Sequence, residues 1–394
     1  MAQTTHQPIV QELLDMIAKN NWQDKFQQAF DKAKSYNAVE MDEMNSLEDY
    51  YNWLDAQLTW VPVENQPGKI VYKHVCLFYF ILDQEPVKSL QNAVMPHDPA
   101  EPLTELSLWM RKFIKELGKW MDTPESLTPE AVQSYYNSPA YNMDSYIQPH
   151  GGWKTFNEFF ARHFKPGTHP IAAIEDSRII TSNDESTFGG QWEVSENSEV
   201  DIKGIRWKID ELLADSPYKD RFKGGKWMHA FLNTTDYHRQ HAPVAGRVLE
   251  SRFIEGTVYL EVVADQDQAI PDGRNHVKMI RHLDAPDSPG YEFMQCRGLI
   301  VIDSPIGLVA VLPMGMAQVS SVIMTAEVGK VLHKGEEISY FQFGGSDIVM
   351  VFEAASNVSF TAQPGIHYNV GTKLAEAYPV VYPCLLYTSP SPRD

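Results

Sequence analysis

The sequence predicts an α+β protein in which a helical N-terminal region precedes a β-rich domain. Apolar residues in the first 150 positions recur with the period of an α-helix, whereas short apolar segments divided by Gly, Pro, Asp and Asn follow them. A stretch rich in Asn, Ser, Tyr, Pro and Gly, at 137–152, separates the two patterns. We therefore expect a helical domain over residues 1–150 and a β-rich domain over residues 151–380.

Helices in the first part are predicted from spacing and capping. Apolar side chains share one helical face over positions 10–17 and again over 106–117. Ser46 followed by Asp49 is the pattern of a capping box, which places a helix start there. Residues 64–68 are expected to form a turn.

Strands are predicted beyond the break because short apolar segments alternate with turn residues. Their spacing favours one compact β-rich domain. The segments are 246–253, 257–263, 298–303, 307–313, 319–325 and 348–352.

Composition excludes several classes of protein. The 33 Lys and Arg residues against 52 Asp and Glu residues give a net charge of −19, which repels nucleic acid and anionic membrane surfaces. Three cysteines without a CxxC pair make a disulfide framework or a cysteine-built zinc site a poor expectation. The longest apolar stretch, 71–82, is too short to span a bilayer and contains Lys73 and His74. With no secretory signal visible, we expect a cytoplasmic protein with at most peripheral membrane contact.

The final residues, 384–394, do not continue the preceding pattern. They resemble a translated sequencing adapter, so we expect a non-native tail there.

Two glycines precede a serine between apolar segments at Gly344, Gly345 and Ser346. One interpretation is a tight hairpin turn, for which Gly-Gly is suitable. The other is a peptide bond open to attack by the serine, because Gly345 has no Cβ to block its carbonyl. Ser346 would then need a base.

Two histidines, His238 and His241, lie three positions apart. They would share a face on a helix and lie on opposite faces of a strand. They are either structural, metal ligands, or acid–base groups that titrate near neutrality. A metal site would need further ligands, which no HExxH motif or cysteine cluster supplies.

Two further patterns have simple structural explanations. Asp184 and Glu185 follow a strand-like segment and could form a solvated turn. Phe156, Phe159 and Phe160 lie on one face of a short helix, which favours a role in packing.

The order of these patterns is more specific than any one of them. Four patterns follow one another along the chain: FxxFFxR at 156–162, an acidic turn, DYHRxHxPxxG at 236–246 and FxxGGS at 341–346. Together they resemble the phosphatidylserine decarboxylase family over about residues 150–380. The helical extension is similar to that of a soluble branch that includes fungal tryptophan decarboxylases.

This resemblance implies a pyruvoyl-dependent decarboxylase that cleaves its own chain between Gly345 and Ser346. Asp184, His241 and Ser346 would form the triad for cleavage, with His241 taking the hydroxyl proton. Ser346 would become the pyruvoyl group, which holds a substrate amine as a Schiff base, and His238 would return a proton to carbon after CO2 is lost. Neither a metal nor pyridoxal phosphate is expected.

The sequence departs from the family pattern at two positions. The turn that is usually Asp-Gly is Asp184-Glu185 here, so Glu185 could act instead of Asp184. The residue after the serine is Asp347, where many members have a small residue. Its carboxylate could slow elimination, bind a cationic group or face solvent.

The expected substrate is phosphatidylserine or a free amino acid, in particular an aromatic one such as tryptophan. The family implies a homo-oligomer of cleaved chains. A non-cleaving family member is one alternative. Another is a carrier module, because 242–248 and 329–335 are similar to lipoyl or biotinyl carriers, but no lysine lies between Phe341 and Phe352.

Overall fold

The computed structural model confirms the α+β class: helices fill the first part of the chain and antiparallel sheets the second. It describes residues 6–96, 101–264, 268–271, 277–286, 289–315, 321–343 and 346–379. The suspected tail at 384–394 lies outside these ranges.

Within the described ranges, six α-helices lie before residue 150, one short helix precedes the first strand, and another lies among the strands. They are α1 (Pro8–Asn20), α2 (Gln23–Ser35), α3 (Leu47–Gln57), α4 (Ile70–Leu82), α5 (Glu105–Met121), α6 (Pro129–Tyr136), α7 (Phe156–Phe160) and α8 (Ile209–Leu213). No helix within the described ranges is both long and apolar enough to cross a bilayer.

Local sequence explains where these helices begin and how they pack. The predicted capping box is present at the start of α3, where Ser46 and Asp49 exchange hydrogen bonds with each other's backbone. Helix α4 is buried at every position from 75 to 82, so it forms the centre of the helical region. The hydroxyl of Tyr50 donates to the carbonyl of Phe78 at 2.9 Å and joins α3 to α4.

Twenty strands lie in the described residues of the second part. They are β1 (Ile179–Thr181), β2 (Ser186–Glu193), β3 (Glu199–Ile202), β4 (Ile205–Lys208), β5 (Lys226–Leu232), β6 (Arg239–His241), β7 (Gly246–Ile254), β8 (Val263–Ala264), β9 (Gln268–Pro271), β10 (Val277–Ile280), β11 (Leu283–Asp284), β12 (Arg297–Ser304), β13 (Gly307–Gly315), β14 (Val322–Met324), β15 (Val331–Leu332), β16 (Glu337–Phe341), β17 (Ser346–Phe352), β18 (Val358–Phe360), β19 (His367–Tyr368) and β20 (Lys373–Ala377).

The largest sheet has eight strands in the order β15-β7-β12-β13-β17-β5-β2-β19. Strand β17 lies inside it and pairs antiparallel with β13 and β5. A separate three-stranded sheet has the order β14-β16-β6, and β1-β20-β18 forms another. These two sheets carry the residues that surround the start of β17.

Most predicted strands are confirmed, but the strand at 257–263 is wrong. Only Val263 of that segment belongs to a strand, β8. The side chain of Gln295 explains the difference, because its Oε1 accepts hydrogen bonds from the Thr257 hydroxyl at 2.8 Å and from the Tyr259 N–H at 3.0 Å. Side-chain hydrogen bonds therefore satisfy backbone groups that a sheet ladder would otherwise pair.

The two faces of β17 contact different parts of the core. Ile348 and Met350 pack in a cluster that also contains residues of helices α1 to α7, whereas Val349 and Val351 pack in a second cluster with Trp227. The alternation follows from the two-residue period of a strand. The helical and β-rich regions share the first cluster, and the domain division near residue 150 stays a prediction.

A carboxylate of the helical region also contacts the β-rich region. Glu40 Oε1 lies 3.1 Å from Lys73 Nζ and 3.1 Å from His282 Nδ1, and its Oε2 accepts the N–H of Leu283 at 3.1 Å. Burial raises the pKa of Glu40, but the opposing effects are larger and hold that pKa below its usual value. They are hydrogen bonds with its own backbone, His282 and Lys73, and the positive charge of Lys73.

We expect Glu40→Gln to lower the free energy of unfolding at neutral pH by about 1 kcal/mol. The value is modest because the Lys73 side chain is 33% exposed, so solvent screens the ion pair. The folded pKa lies below the unfolded one, so this stabilisation is complete above the unfolded pKa and is lost as the pH falls through the folded value. Urea unfolding at a series of pH values measures it. The exposed neighbour Glu43 provides a control variant, Glu43→Gln, which should change little. A deficit in Glu40→Gln that stays constant into acid would contradict this account.

Candidate active site

The Gly-Gly-Ser segment connects two different sheets. Strand β16, before it, pairs with β14 and β6, whereas β17, after it, pairs with β13 and β5. The interpretation as a simple hairpin turn is therefore wrong, because a hairpin joins neighbouring strands of one sheet. Gly344 and Gly345 lie outside the described residues. Ser346 is the first residue of β17 and is completely buried.

The two histidines have different surroundings. His238 directly precedes β6 and His241 is its last residue, so they lie on a segment that is not helical. The N–H of Phe341 donates to the carbonyl of His238 at 2.8 Å and fixes this segment against β16. His238 Nδ1 lies 3.4 Å from Ser346 Oγ. The structure thus brings two predicted site residues together.

The ring of His238 is completely buried and is held by aromatic stacking. It lies parallel to the ring of Phe160, with centroids 4.0 Å apart. Burial and the charge of Arg162 lower the pKa of His238 to about 3, while hydrogen bonding to the backbone at Thr234 and Asn233 opposes the shift. The imidazole is therefore neutral at physiological pH, the form that accepts a hydrogen bond from a hydroxyl.

The ring of His241 has other partners. Its Nδ1 lies 2.8 Å from the carbonyl oxygen of Gly335, and its Nε2 lies 3.0 Å from the hydroxyl of Tyr237. A carbonyl can only accept, so Nδ1 carries the proton and Nε2 accepts from Tyr237. Burial lowers the pKa of His241 and favours this neutral tautomer.

The acidic turn after β1 supports the histidine segment. Asp184 is completely buried and accepts a hydrogen bond from the Ser186 hydroxyl at 2.8 Å; burial raises the pKa of Asp184 to about 7. Glu185 accepts the N–H of Tyr237 at 2.9 Å. In the part of the chain that the structure describes, no hydrogen bond or ion pair joins either carboxylate to the ring of His241. Among the described residues, the hydrogen bonds of the His241 ring go to Gly335 and Tyr237, and the triad of Asp184, His241 and Ser346 stays a prediction.

A row of aromatic rings extends from His238, and the sequence analysis did not anticipate it. The ring centroids of Phe160 and Phe343 are 5.7 Å apart, and those of Phe343 and Trp60 are 6.0 Å apart. Trp60 in turn stacks on His74, with centroids 4.2 Å apart. Phe343 directly precedes the two glycines, and Trp60 belongs to the helical region. The helical face that contains Phe160 was interpreted as packing alone, yet it forms one wall of the site.

Arg162 is a second residue whose role was missed. It is 1% exposed, its guanidinium lies 4.1 Å from the ring centre of Tyr146, and it donates to the carbonyl of Thr235 at 3.1 Å. The arginine therefore holds the loop before His238 and places a positive charge near the imidazole. Its place in the FxxFFxR pattern, two residues after Phe160, was the available signal.

Comparison with known proteins places the chain among decarboxylases. A family model described as phosphatidylserine decarboxylase matches residues 156–376. The chain is similar to phosphatidylserine decarboxylase proenzyme 2 of Oryza sativa subsp. japonica, with 30% identity over 64% of this chain and 38% of that protein. It is 28% identical to decarboxylase iboD of Amanita muscaria over 68% of this chain and 83% of that protein. It is 24% identical to L-tryptophan decarboxylase of Psilocybe cubensis over 56% of this chain and 52% of that protein.

The chain thus spans well under half the length of the rice relative. The matched region contains the histidine segment, the acidic turn and Ser346, and it covers more than half of the chain. The chain belongs to the phosphatidylserine decarboxylase family.

Proposed function

We propose that this protein is a self-processing, pyruvoyl-dependent decarboxylase that removes CO2 from an α-amino acid, either free or as the serine headgroup of phosphatidylserine. One observation carries the proposal. Ser346, at the position where this family changes its own chain, is buried with its Oγ 3.4 Å from His238 Nδ1.

The proposed cleavage is an intramolecular acyl transfer. The Ser346 oxygen bonds to the carbonyl carbon of Gly345, and the C–N bond between the two residues breaks to give an ester. Elimination releases a chain that ends at Gly345, and hydrolysis of the remaining dehydroalanine releases ammonia and leaves the pyruvoyl group at position 346. Gly345 itself lies outside the described residues.

We propose His241 and Asp184 as the pair that assists cleavage, as the resemblance implies. His241 already has the tautomer of a general base, since its Nε2 accepts a hydrogen bond from a hydroxyl, that of Tyr237. Cleavage requires Ser346 to replace Tyr237 at this nitrogen. Burial raises the pKa of Asp184 to about 7, so a protonated imidazole beside it would favour its ionised form.

The residues present fit a pyruvoyl group at position 346. The site is dry, because Ser346, His238 and Phe343 are all buried. When formed, the group supplies an electron sink for the carbanion left by loss of CO2. His238 is the imidazole in contact with this position, so we propose that it holds and returns the proton that replaces CO2.

A specific observation favours a free aromatic amino acid over the lipid. The row of Phe160, Phe343 and Trp60 starts at His238, and its rings pack edge to face, a surrounding that suits a further aromatic side chain. The net charge of −19 also disfavours an anionic membrane surface. A cytoplasmic homo-oligomer of cleaved chains completes the proposal.

Release of labelled CO2 tests the substrate class. Cleaved protein is incubated with carboxyl-labelled tryptophan, with carboxyl-labelled alanine, and with labelled phosphatidylserine in vesicles. We expect tryptophan to be consumed fastest, because only its side chain can use the aromatic row. The control is Trp22→Phe, which alters a half-buried indole of the helical region outside that row. Trp60→Ala should raise KM for tryptophan, whereas Trp22→Phe should leave it near the wild-type value. Release from phosphatidylserine alone would contradict the aromatic preference.

A further inference from the structure

A second cluster of reactive side chains lies on the other face of β17. His229 of β5, Glu292 and Asp347 are each completely buried. His229 Nε2 lies 3.2 Å from Glu292 Oε1 and 3.2 Å from Asp347 Oδ2. One ligand atom from each of the three lies within 4.8 Å of the others. Asp347 directly follows Ser346, and the strand alternation separates the two side chains.

The charges of this cluster do not balance without a further cation. Two carboxylates face one imidazole in a region without solvent. A buried carboxylate that is not neutralised is costly, so the cluster binds either a proton or a metal ion.

The geometry suits a metal ion. A tetrahedral ion with metal–ligand distances of about 2.0 Å separates its donor atoms by about 3.3 Å, close to the two contacts of 3.2 Å at His229 Nε2. The hydroxyl of Tyr291 donates to Asp347 Oδ2 at 2.9 Å, and the N–H of Gly290 donates to Glu292 Oε2. Hydrogen bonds of this kind orient the carboxylates of metal sites.

A second observation concerns the other oxygen of Asp347. Asp347 Oδ1 is buried and accepts no hydrogen bond from the residues that the structure describes. Buried carboxylate oxygens are nearly always satisfied in folded proteins, so an oxygen in this state suits a cation at the cluster.

We propose that His229, Glu292 and Asp347 bind one divalent metal ion of the zinc class, through Nε2 and one oxygen of each carboxylate. This imidazole and carboxylate donor set suits Zn²⁺ better than Ca²⁺ or Cu⁺. The ion fixes the backbone at the start of β17 from the face opposite His238. Tyr291, which also lines a cavity of about 520 Å³ with Trp207 and Tyr259, positions Asp347. The proposal does not depend on the proposed decarboxylase activity.

Metal content of the full-length protein tests this directly. The wild type, Glu292→Gln and Asp347→Asn are stripped with a chelator, incubated with Zn²⁺, desalted and analysed by elemental mass spectrometry. Asp83→Asn is the matched control, because Asp83 is also a buried carboxyl with a raised pKa but lies outside the cluster. We expect about one tightly held Zn²⁺ per chain in the wild type and in Asp83→Asn, and less than a tenth of that in the two cluster variants.

A measurement on the wild type alone tests the proposal even if the variants fail to fold. Titration with Co²⁺ should give the visible absorption of a tetrahedral ion with nitrogen and oxygen ligands, saturating at about one equivalent. The proposal is overturned if the folded wild type retains no Zn²⁺ and shows no such absorption. Cluster variants that fold and hold as much Zn²⁺ as the wild type would overturn it equally. Self-cleavage is scored separately by electrophoresis, so either proposal can fail without the other.

Discussion

The Ser346→Ala variant is expected to remain a single chain of 394 residues under conditions in which the wild type separates into residues 1–345 and 346–394. Alanine has no oxygen to attack the preceding carbonyl, so no ester forms and no pyruvoyl group arises. The loss of cleavage should be complete rather than partial. Denaturing electrophoresis of freshly purified protein, followed over days, measures it.

A buried serine on the adjacent sheet provides the control. Ser339 is completely buried and donates its hydroxyl to Gln240 at 2.9 Å, but it does not contact His238. Ser339→Ala should therefore cleave at nearly the wild-type rate, even with some loss of stability. If folded Ser346→Ala were to split at the same bond, the serine would not be the nucleophile and the proposed cleavage would fail.

The His238→Gln variant is expected to lose decarboxylation by a factor of about 10²–10⁴, counted per cleaved chain. Glutamine fills similar space and can hydrogen-bond, but it cannot hold and return a proton. His238 is the imidazole that touches position 346, at 3.4 Å. Labelled CO2 release in the steady state gives kcat, and the cleaved fraction is read from a gel of the same sample.

An exposed histidine on the same domain serves for comparison. His333→Gln changes a surface side chain and should keep the wild-type kcat. His241→Gln should instead slow cleavage, because His241 is the proposed base for that step. A His238→Gln protein that cleaves and decarboxylates at the wild-type rate would remove His238 from the mechanism.

Local signals were sufficient for much of the fold. The capping box at Ser46 and the apolar face of α5 depend on residues within two or three turns of one another, and both appear in the structure as predicted. The strand β7 is likewise recognisable from its own residues. The strand predicted at 257–263 fails because a distant side chain, Gln295, takes its hydrogen bonds.

The site depends on contacts that no local pattern encodes. The family resemblance found Ser346 and both histidines, but only the structure shows that the ring of His238 contacts the serine. Spacing alone left both possibilities open.

The cluster behind β17 was beyond sequence reasoning for the same reason. His229, Glu292 and Asp347 come from three separate segments and match no metal-binding spacing. Asp347 was noted as unusual, yet its partners become visible only when β5 and β17 pair. The expectation that the protein uses no metal came from the resemblance, and the proposed ion departs from it.

The central claim is that this chain converts Ser346 into a pyruvoyl group. The intact masses of the denatured wild-type protein test it most directly. We expect two species, residues 1–345 and a short chain that begins at position 346, and the short chain should be lighter by one ammonia than a chain beginning with serine. Its N-terminus should resist Edman degradation, because it carries no amine. A folded wild-type protein with the single mass of the uncut chain, or a short chain that begins with an ordinary serine, would contradict the account.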